Sequence, residues 1–183
     1  MRIVSGKFKG RRIPVRKNFP SRPTTDFAKE NLFNVLANEF DFEGLNVLDL
    51  FAGTGSMSYE FASRGANVEL IEKDYHSFVF IQKTIAALEV KTIKPFKADV
   101  FRALHAIHRK YDLIFADPPY TLKTIQTIPD LIFEHNLLND GGWFIMEHSN
   151  RNIFNTHLHF KETRKYGSVH FSIFIKKAET GND

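Results

Sequence analysis

The stretch Val47-Leu48-Asp49-Leu50-Phe51-Ala52-Gly53-Thr54-Gly55-Ser56 decides the fold. A short apolar run, VLDLF (47–51), ends in a glycine turn and opens a helical stretch. Four more apolar runs follow: VELIE (68–72), TIKPF (92–96), DLIFA (112–116) and WFIME (143–147). Between them the pattern predicts helices near 57–64, 75–88, 100–108 and 122–138, the last interrupted by Pro129. Apolar strands alternating with helices predict a parallel sheet covered on both faces. HLHFKETRKY (157–166) and SVHFSIFIK (168–176) meet at Tyr166-Gly167-Ser168, with no room for a helix, so this pair must run antiparallel. The expected fold is α/β: a mostly parallel seven-stranded sheet with an antiparallel C-terminal hairpin.

The 183 residues suit one domain with at most a small appendage. With 43% apolar and 25% charged residues, the composition excludes a disordered or collagen-like chain. The absence of cysteine excludes thiol chemistry and any Cys-ligated zinc or iron–sulfur site. The N-terminus lacks the apolar segment of a secretory signal, and no run of 18 apolar residues exists, so a cytoplasmic protein without membrane contact is expected.

Charge is unevenly placed. Residues 1–23 hold Arg2, Lys7, Lys9, Arg11, Arg12, Arg16, Lys17 and Arg22 and no acid, so they carry +8 while the remaining 160 carry −4. A basic arm on a mildly acidic body points to a polyanion, because each phosphate met by Lys or Arg releases counterions. Two runs around Gly6 and Gly10 predict a β-hairpin over 2–15. Phe8 and Phe19 either stack on bases or pack on the body. A proline-punctuated loop (18–23) then leads to Thr24, Thr25 and Asp26, which offer N-caps to a helix with Ala28, Leu32, Val35 and Leu36 on its apolar face. The division expected is a basic arm over 1–23 and a main domain over 24–183.

The glycine turn is neither a complete dinucleotide fingerprint, since Ser58 stands at the third glycine, nor a Walker loop, since no Gly-Lys-Ser/Thr follows. It begins with an acid, Asp49, which suits a ligand with a cationic or amino-bearing head. Glu72 ends the second strand 19 residues after Gly53, the place from which an acid accepts from ribose hydroxyls. Asp99 follows the third strand and serves as an adenine contact, a helix N-cap, or both.

Asp117-Pro118-Pro119-Tyr120 follows the fourth strand. Its prolines remove two N–H donors and leave an acceptor-rich turn: the Asp117 carboxylate and the Pro118 carbonyl, beside an aromatic face. An exocyclic base amine is a poor nucleophile because its lone pair is delocalised into the ring. Two acceptors that hold its hydrogens out of plane push nitrogen toward sp³, and Tyr120 supplies a stacking surface.

DLFAGTG, IEKD and DPPY together resemble the class I S-adenosylmethionine-dependent methyltransferases that act on exocyclic amines. The closer resemblance is to the RsmD family of bacterial 16S rRNA guanine-N2 methyltransferases. It is carried by RIVSGKFKGRRI (2–13), RPTTDFAKENLFNVL (22–36), DLFAGTGSMSYEFASRGA (49–66), DLIFADPPY (112–120) and RKYGSVHFSIF (164–174). The resemblance implies the Rossmann-like class I methyltransferase fold and S-adenosylmethionine as cofactor, with no metal. It assigns Asp49, Phe51, Ala52, Gly53, Gly55, Glu72, Lys73, Asp99, Val100 and Asp117 to the cofactor. It assigns Asp117, Pro118, Pro119 and Tyr120 to the flipped guanine. The basic residues of the arm would grip 16S rRNA in the 30S subunit, and a monomer is expected. The remaining readings are an adenine-N6 methyltransferase on DNA or RNA, a non-catalytic assembly factor, and an NAD-dependent oxidoreductase. The stretch between Tyr120 and Trp143 is too short for a DNA target-recognition insert, intact Asp49, Glu72 and Asp117 argue against lost activity, and DPPY has no place in a hydride-transfer site. His105 and His108 lack a third metal ligand, and His148 lies close enough to the fifth strand's end to be weighed as a substrate neighbour.

Overall fold

The computed structural model describes residues 1–15 and 25–178. Arg16, Lys17, Phe19, Arg22, Thr24 and the tail 179–183 lie outside the described residues. The elements run α1 (Asp26–Leu36), β1 (Asn46–Leu50), α2 (Ser56–Ser63), β2 (Asn67–Glu72), α3 (Tyr75–Leu88), β3 (Ile93–Lys97), α4 (Val100–Ala106), β4 (Tyr111–Ala116), α5 (Thr127–Glu134), β5 (Leu138–His148), β6 (Phe160–Tyr166) and β7 (Val169–Ile175). They build a seven-stranded sheet of order β3-β2-β1-β4-β5-β7-β6. The first five strands pair in parallel, and β7 runs antiparallel to both β5 and β6. The strand order reverses between β1 and β4, which opens a crevice at their C-terminal ends.

Alternation along the strands sorts two cores. Val47, Val68, Leu70, Leu113, Phe115, Trp143 and Ile145 face α1 and α2. Leu48, Leu50, Ile71, Ile114, Ala116, Phe144 and Met146 face α4 and α5. This is the pattern of strands buried on both sides.

Three elements differ from the sequence reading, each for a local reason. Helix α5 covers Thr127–Glu134 rather than 122–138. Pro129 sits in its first turn, where a missing N–H removes no helical hydrogen bond, so the proline marks the helix start. Strand β5 begins at Leu138, ahead of the apolar run WFIME (143–147) that marks it in the sequence; a register shift between Tyr111 and Leu113 accommodates the added residues. Residues 2–13 cross at a single antiparallel bridge, Arg2↔Arg12, where two ladder strands were expected. The chain there spends its hydrogen bonds on α2 instead. Val4 N donates to Glu60 Oε1 (2.8 Å), Lys7 N to Ser63 O (2.6 Å) and Phe8 N to Ser63 Oγ (2.9 Å). Gly6 has φ +78°, and a Cβ there would lie 1.9 Å from the Ser63 carbonyl oxygen, so only glycine permits this approach. Ile3 and Ile13 are buried in the core on the α1–α2 side.

Glu60 fastens this junction. It is fully buried, pairs with Lys29 (3.1 Å) and Arg64 (2.6 Å), and accepts from Val4; Lys29 Nζ also donates to the Arg2 carbonyl (2.8 Å). Removing one partner strands the other charge. Glu60→Ala is therefore expected to cost roughly 3–5 kcal/mol in urea unfolding, against under about 1 kcal/mol for breaking the exposed Arg109–Glu69 pair.

Candidate active site

Asp49 lies on β1, Glu72 ends β2, and Asp117 follows β4 directly. By strand alternation all three lie on the face of Val47, Leu70 and Phe115. Asp49 is 1% exposed and accepts a short hydrogen bond from Ser58 Oγ. Ser58, the residue at the third-glycine position, thus orients the loop's acid. Burial pushes the Asp49 carboxyl up to about 7, against the Ser58 hydrogen bond, and Glu72 adds to the rise.

Beyond Leu50 the chain turns sharply. Phe51 takes a left-handed conformation (φ +59°), an unusual one for a bulky side chain, and packs edge-on against Phe101 (6.4 Å). Ala52 N donates to the Ile71 carbonyl (3.0 Å), and Gly53 N donates to Glu72 Oε2 (2.7 Å). The other Glu72 oxygen accepts from Asp74 N (2.6 Å). Glu72 therefore clamps the loop to β2, and each oxygen keeps a lone pair for a further donor. Burial raises its pKa, against the backbone hydrogen bonds it accepts. Gly55 caps α2 at φ +77°, and a Cβ there would meet the Tyr59 ring, so this glycine is required by packing and turn geometry.

Asp99 caps α4 through Arg102 N (3.3 Å) and pairs with Lys73 (3.0 Å), whose hydrogen bond holds its carboxyl below the usual range. The Val100 side chain is buried in the core on the α4 side. Lys73 is spent on Asp99 in an exposed pair.

Asp117 follows Ala116, which pairs with Leu50 on β1 and with Met146 on β5. Pro118 is buried, and Pro119 and Tyr120 are exposed. Burial, then the charges of Glu147 and Asp49, push the Asp117 carboxyl well above the usual range. Burial, then the charges of Glu147 and Asp117, raise the pKa of the Tyr120 phenol.

Glu147 was missed by sequence reasoning. It lies near the end of β5, on the face of Trp143 and Ile145, and is 4% exposed. The signal is present in the sequence: β2 and β5 both carry an acid at the end of an apolar run, Glu72 and Glu147. Asp49, Glu72, Asp117 and Glu147 form a row of four acids on one face of four adjacent strands. His148, by contrast, faces the other way. Its Nε2 meets Ser172 Oγ (2.7 Å), its ring packs on Phe154, and burial lowers its pKa. His105 packs edge-on against His135 (4.7 Å). Among the described residues no group of three or more His, Asp or Glu is placed to hold a metal ion, and no helix is long and apolar enough to cross a membrane.

The N-terminal segment borders this row. The Thr54 hydroxyl of the glycine loop meets Met1 Sδ (3.5 Å), and the segment then runs along α2 to Ser63. Lys7, Lys9, Arg11 and Arg12 are exposed on it, and Arg2 pairs with Asp26 (3.5 Å) and Glu30 (3.4 Å) at the start of α1. Phe8 packs against the core.

A family model described as Conserved hypothetical protein 95 matches residues 1–175. The chain belongs to this family, the RsmD-type methyltransferases. It is 35% identical over 153 residues, 81% of its length, to "Putative rRNA methyltransferase YlbH" of Bacillus subtilis, of which 82% is covered. It is 33% identical over 149 residues to "Ribosomal RNA small subunit methyltransferase D" of Escherichia coli, covering 80% of this chain and 71% of that one. The solved structure "Putative methyltransferase yhhF from Escherichia coli" superposes with a TM-score of 0.84 at 26% identity, covering 98% of this chain and 99% of that one. The family's sheet is thus present whole, with the antiparallel C-terminal pair expected from the sequence.

Proposed function

We propose that this protein transfers a methyl group from S-adenosylmethionine to the exocyclic N2 amine of a guanosine in 16S rRNA, on the small ribosomal subunit or its assembly intermediate. The observation that carries the reading is the acid row itself. Four carboxyl groups side by side, three of them buried and Asp117 half-buried, repel one another, and ligands that bring cationic and N–H groups relieve that repulsion. S-adenosylmethionine fits: it carries a sulfonium and an ammonium, and its ribose offers two hydroxyls. The Ser56 hydroxyl, buried beside the loop without a partner among the described residues, is a further polar group for it. Asp49 would hold the ammonium, Glu72 the ribose, and Asp99 with the backbone at Val100 the adenine edge. Phe51, Ala52 and Gly53 shape the loop, and Lys73 acts through Asp99. When bound, the cofactor supplies an electrophilic methyl group on sulfur.

The protein's part in the reaction is alignment. The Asp117 carboxylate and the Pro118 carbonyl accept the two amine hydrogens and draw the nitrogen lone pair out of the ring plane. The Tyr120 ring stacks on the base, and Pro119 stiffens the turn. In-line placement at ~3–3.5 Å supplies roughly 7–11 kcal/mol of the barrier. Burial and the neighbouring charges favour the protonated form of Asp117 in the free protein; a cationic ligand beside the row offsets that repulsion, and the ionised group then accepts the amine hydrogens and takes the proton the product nitrogen sheds. Flipping the base costs a few kcal/mol, offset by phosphate contacts from Arg2, Lys7, Lys9, Arg11 and Arg12, with Arg16, Lys17 and Arg22 in the same charged stretch of sequence.

Arg11→Glu with Arg12→Glu is expected to weaken RNA binding and to lower the slope of log affinity against log salt by about 0.7 for each phosphate no longer neutralised, without changing cofactor affinity. Filter binding across a salt series reads this, and an equal loss of both affinities contradicts it. The polymer is tested with labelled S-adenosylmethionine and unmodified 30S particles, free 16S rRNA and duplex DNA. Incorporation into the ribosomal substrates is expected, and incorporation into DNA alone contradicts the proposal.

A further inference from the structure

Glu147 has no role in the mechanism above, yet it belongs to the same row. The β4–β5 register runs Phe115↔Ile145 and Ala116↔Met146, so the next pair along is Asp117 and Glu147, one strand spacing apart (about 4.8 Å). Both lie on the same sheet face, and Glu147's charge reaches Asp117 directly. Tyr120, a side chain 62% exposed on the loop beyond β4, lies near enough for the Glu147 charge to raise the pKa of its phenol. A buried acceptor thus lies beside the amine-orienting group, placed to meet a second N–H of the same ligand.

Guanine presents two neighbouring donors on its Watson–Crick edge, the N2 amine and the ring N1–H. Adenine presents a lone pair at N1. Building on the guanine-N2 reading, we propose that Glu147 accepts the N1–H of the flipped guanine while Asp117 holds the N2 amine, and that this pairing selects guanine. The exposed Tyr120 ring is free to stack on the base. A base with a lone pair at N1 leaves the Glu147 carboxylate buried without a donor and brings a second acceptor against it, which is the situation in which a polar site rejects an analogue most strongly.

The test uses 30S particles whose mapped target guanosine is replaced by 2,6-diaminopurine ribonucleoside. This base keeps the 2-amino group but carries a lone pair at N1. For the wild-type protein, kcat/KM for guanosine is expected to exceed that for diaminopurine by at least ~10²-fold. Glu147→Gln offers an amide donor as well as an acceptor, and the ratio is expected to fall below about 10-fold. A residue that only supports the fold would lower both rates together and leave the ratio unchanged. That result, or a wild-type protein that methylates both bases equally well, overturns the assignment. The wild-type ratio decides even if Glu147→Gln does not fold. Mass spectrometry of the wild-type nucleoside product separates two failures. N2-methylguanosine formed without discrimination removes the Glu147 role alone, whereas N6-methyladenosine removes the guanine reading and the Glu147 role with it.

Discussion

Asp117→Ala is expected to lower methyl transfer on the order of 10³-fold while leaving cofactor affinity nearly unchanged. The loss follows from geometry. Without the carboxylate, one amine hydrogen has no acceptor, the nitrogen stays planar, and its lone pair stays in the ring. Stability should move the other way in the isosteric variant. The folded-state pKa of Asp117 lies above its unfolded value, so between the two the folded chain binds more protons, and stability falls as pH rises through that window. Asparagine does not ionise. Asp117→Asn is therefore expected to unfold at a higher temperature than wild type at pH 8 and at nearly the same temperature below pH 4, by differential scanning calorimetry. Loss of activity together with a lower unfolding temperature at pH 8 would mean that the residue holds the fold rather than the substrate.

The second large effect is the pH dependence of cofactor binding. Asp49 sits at about 7 in the free protein, and only its ionised form attracts an ammonium. Affinity for S-adenosylmethionine is expected to rise about tenfold per pH unit below 7 and to level off above it, roughly 100-fold from pH 5 to pH 8. The sign is set by the ligand: binding favours the carboxylate, so it releases the proton that the free protein retains. Isothermal titration in buffers of different ionisation enthalpy reads that proton directly. Asp49→Asn should bind weakly at every pH with a flat profile. A wild-type affinity independent of pH would show that Asp49 does not meet the cation. The same burial has a stability cost. Ionising a carboxyl held at about 7 rather than 3.8 costs on the order of 4 kcal/mol at neutral pH. The acid row is a destabilising feature, which the proposed ligand-binding role would explain.

The sheet was legible because apolar runs of four to six residues, spaced by helical periodicity, admit few other folds. The glycine loop and Asp117-Pro118-Pro119-Tyr120 were legible because each follows a strand, and strand ends of a parallel sheet share one edge. Three features were not legible. Glu147 joins the row only through the β4–β5 register, and the Gly141-Gly142 pair masks where β5 begins. His148 follows Glu147 by one residue and looks equally promising in sequence, yet strand alternation turns it to the opposite face, against Phe154 and Ser172. Glu60 and Lys29 lie 31 residues apart on two helices, and only packing reveals the buried pair that holds residues 1–13 against the body. In each case the missing information was a long-range contact, which local pattern does not contain.

The identity of the methylated nucleoside tests the central claim most directly. Unmodified 30S particles incubated with S-adenosylmethionine and the wild-type protein, then digested to nucleosides and analysed by mass spectrometry, are expected to yield N2-methylguanosine, and Asp117→Ala to yield none. N6-methyladenosine from the same particles, or no methylated nucleoside while the cofactor still binds, would contradict the account.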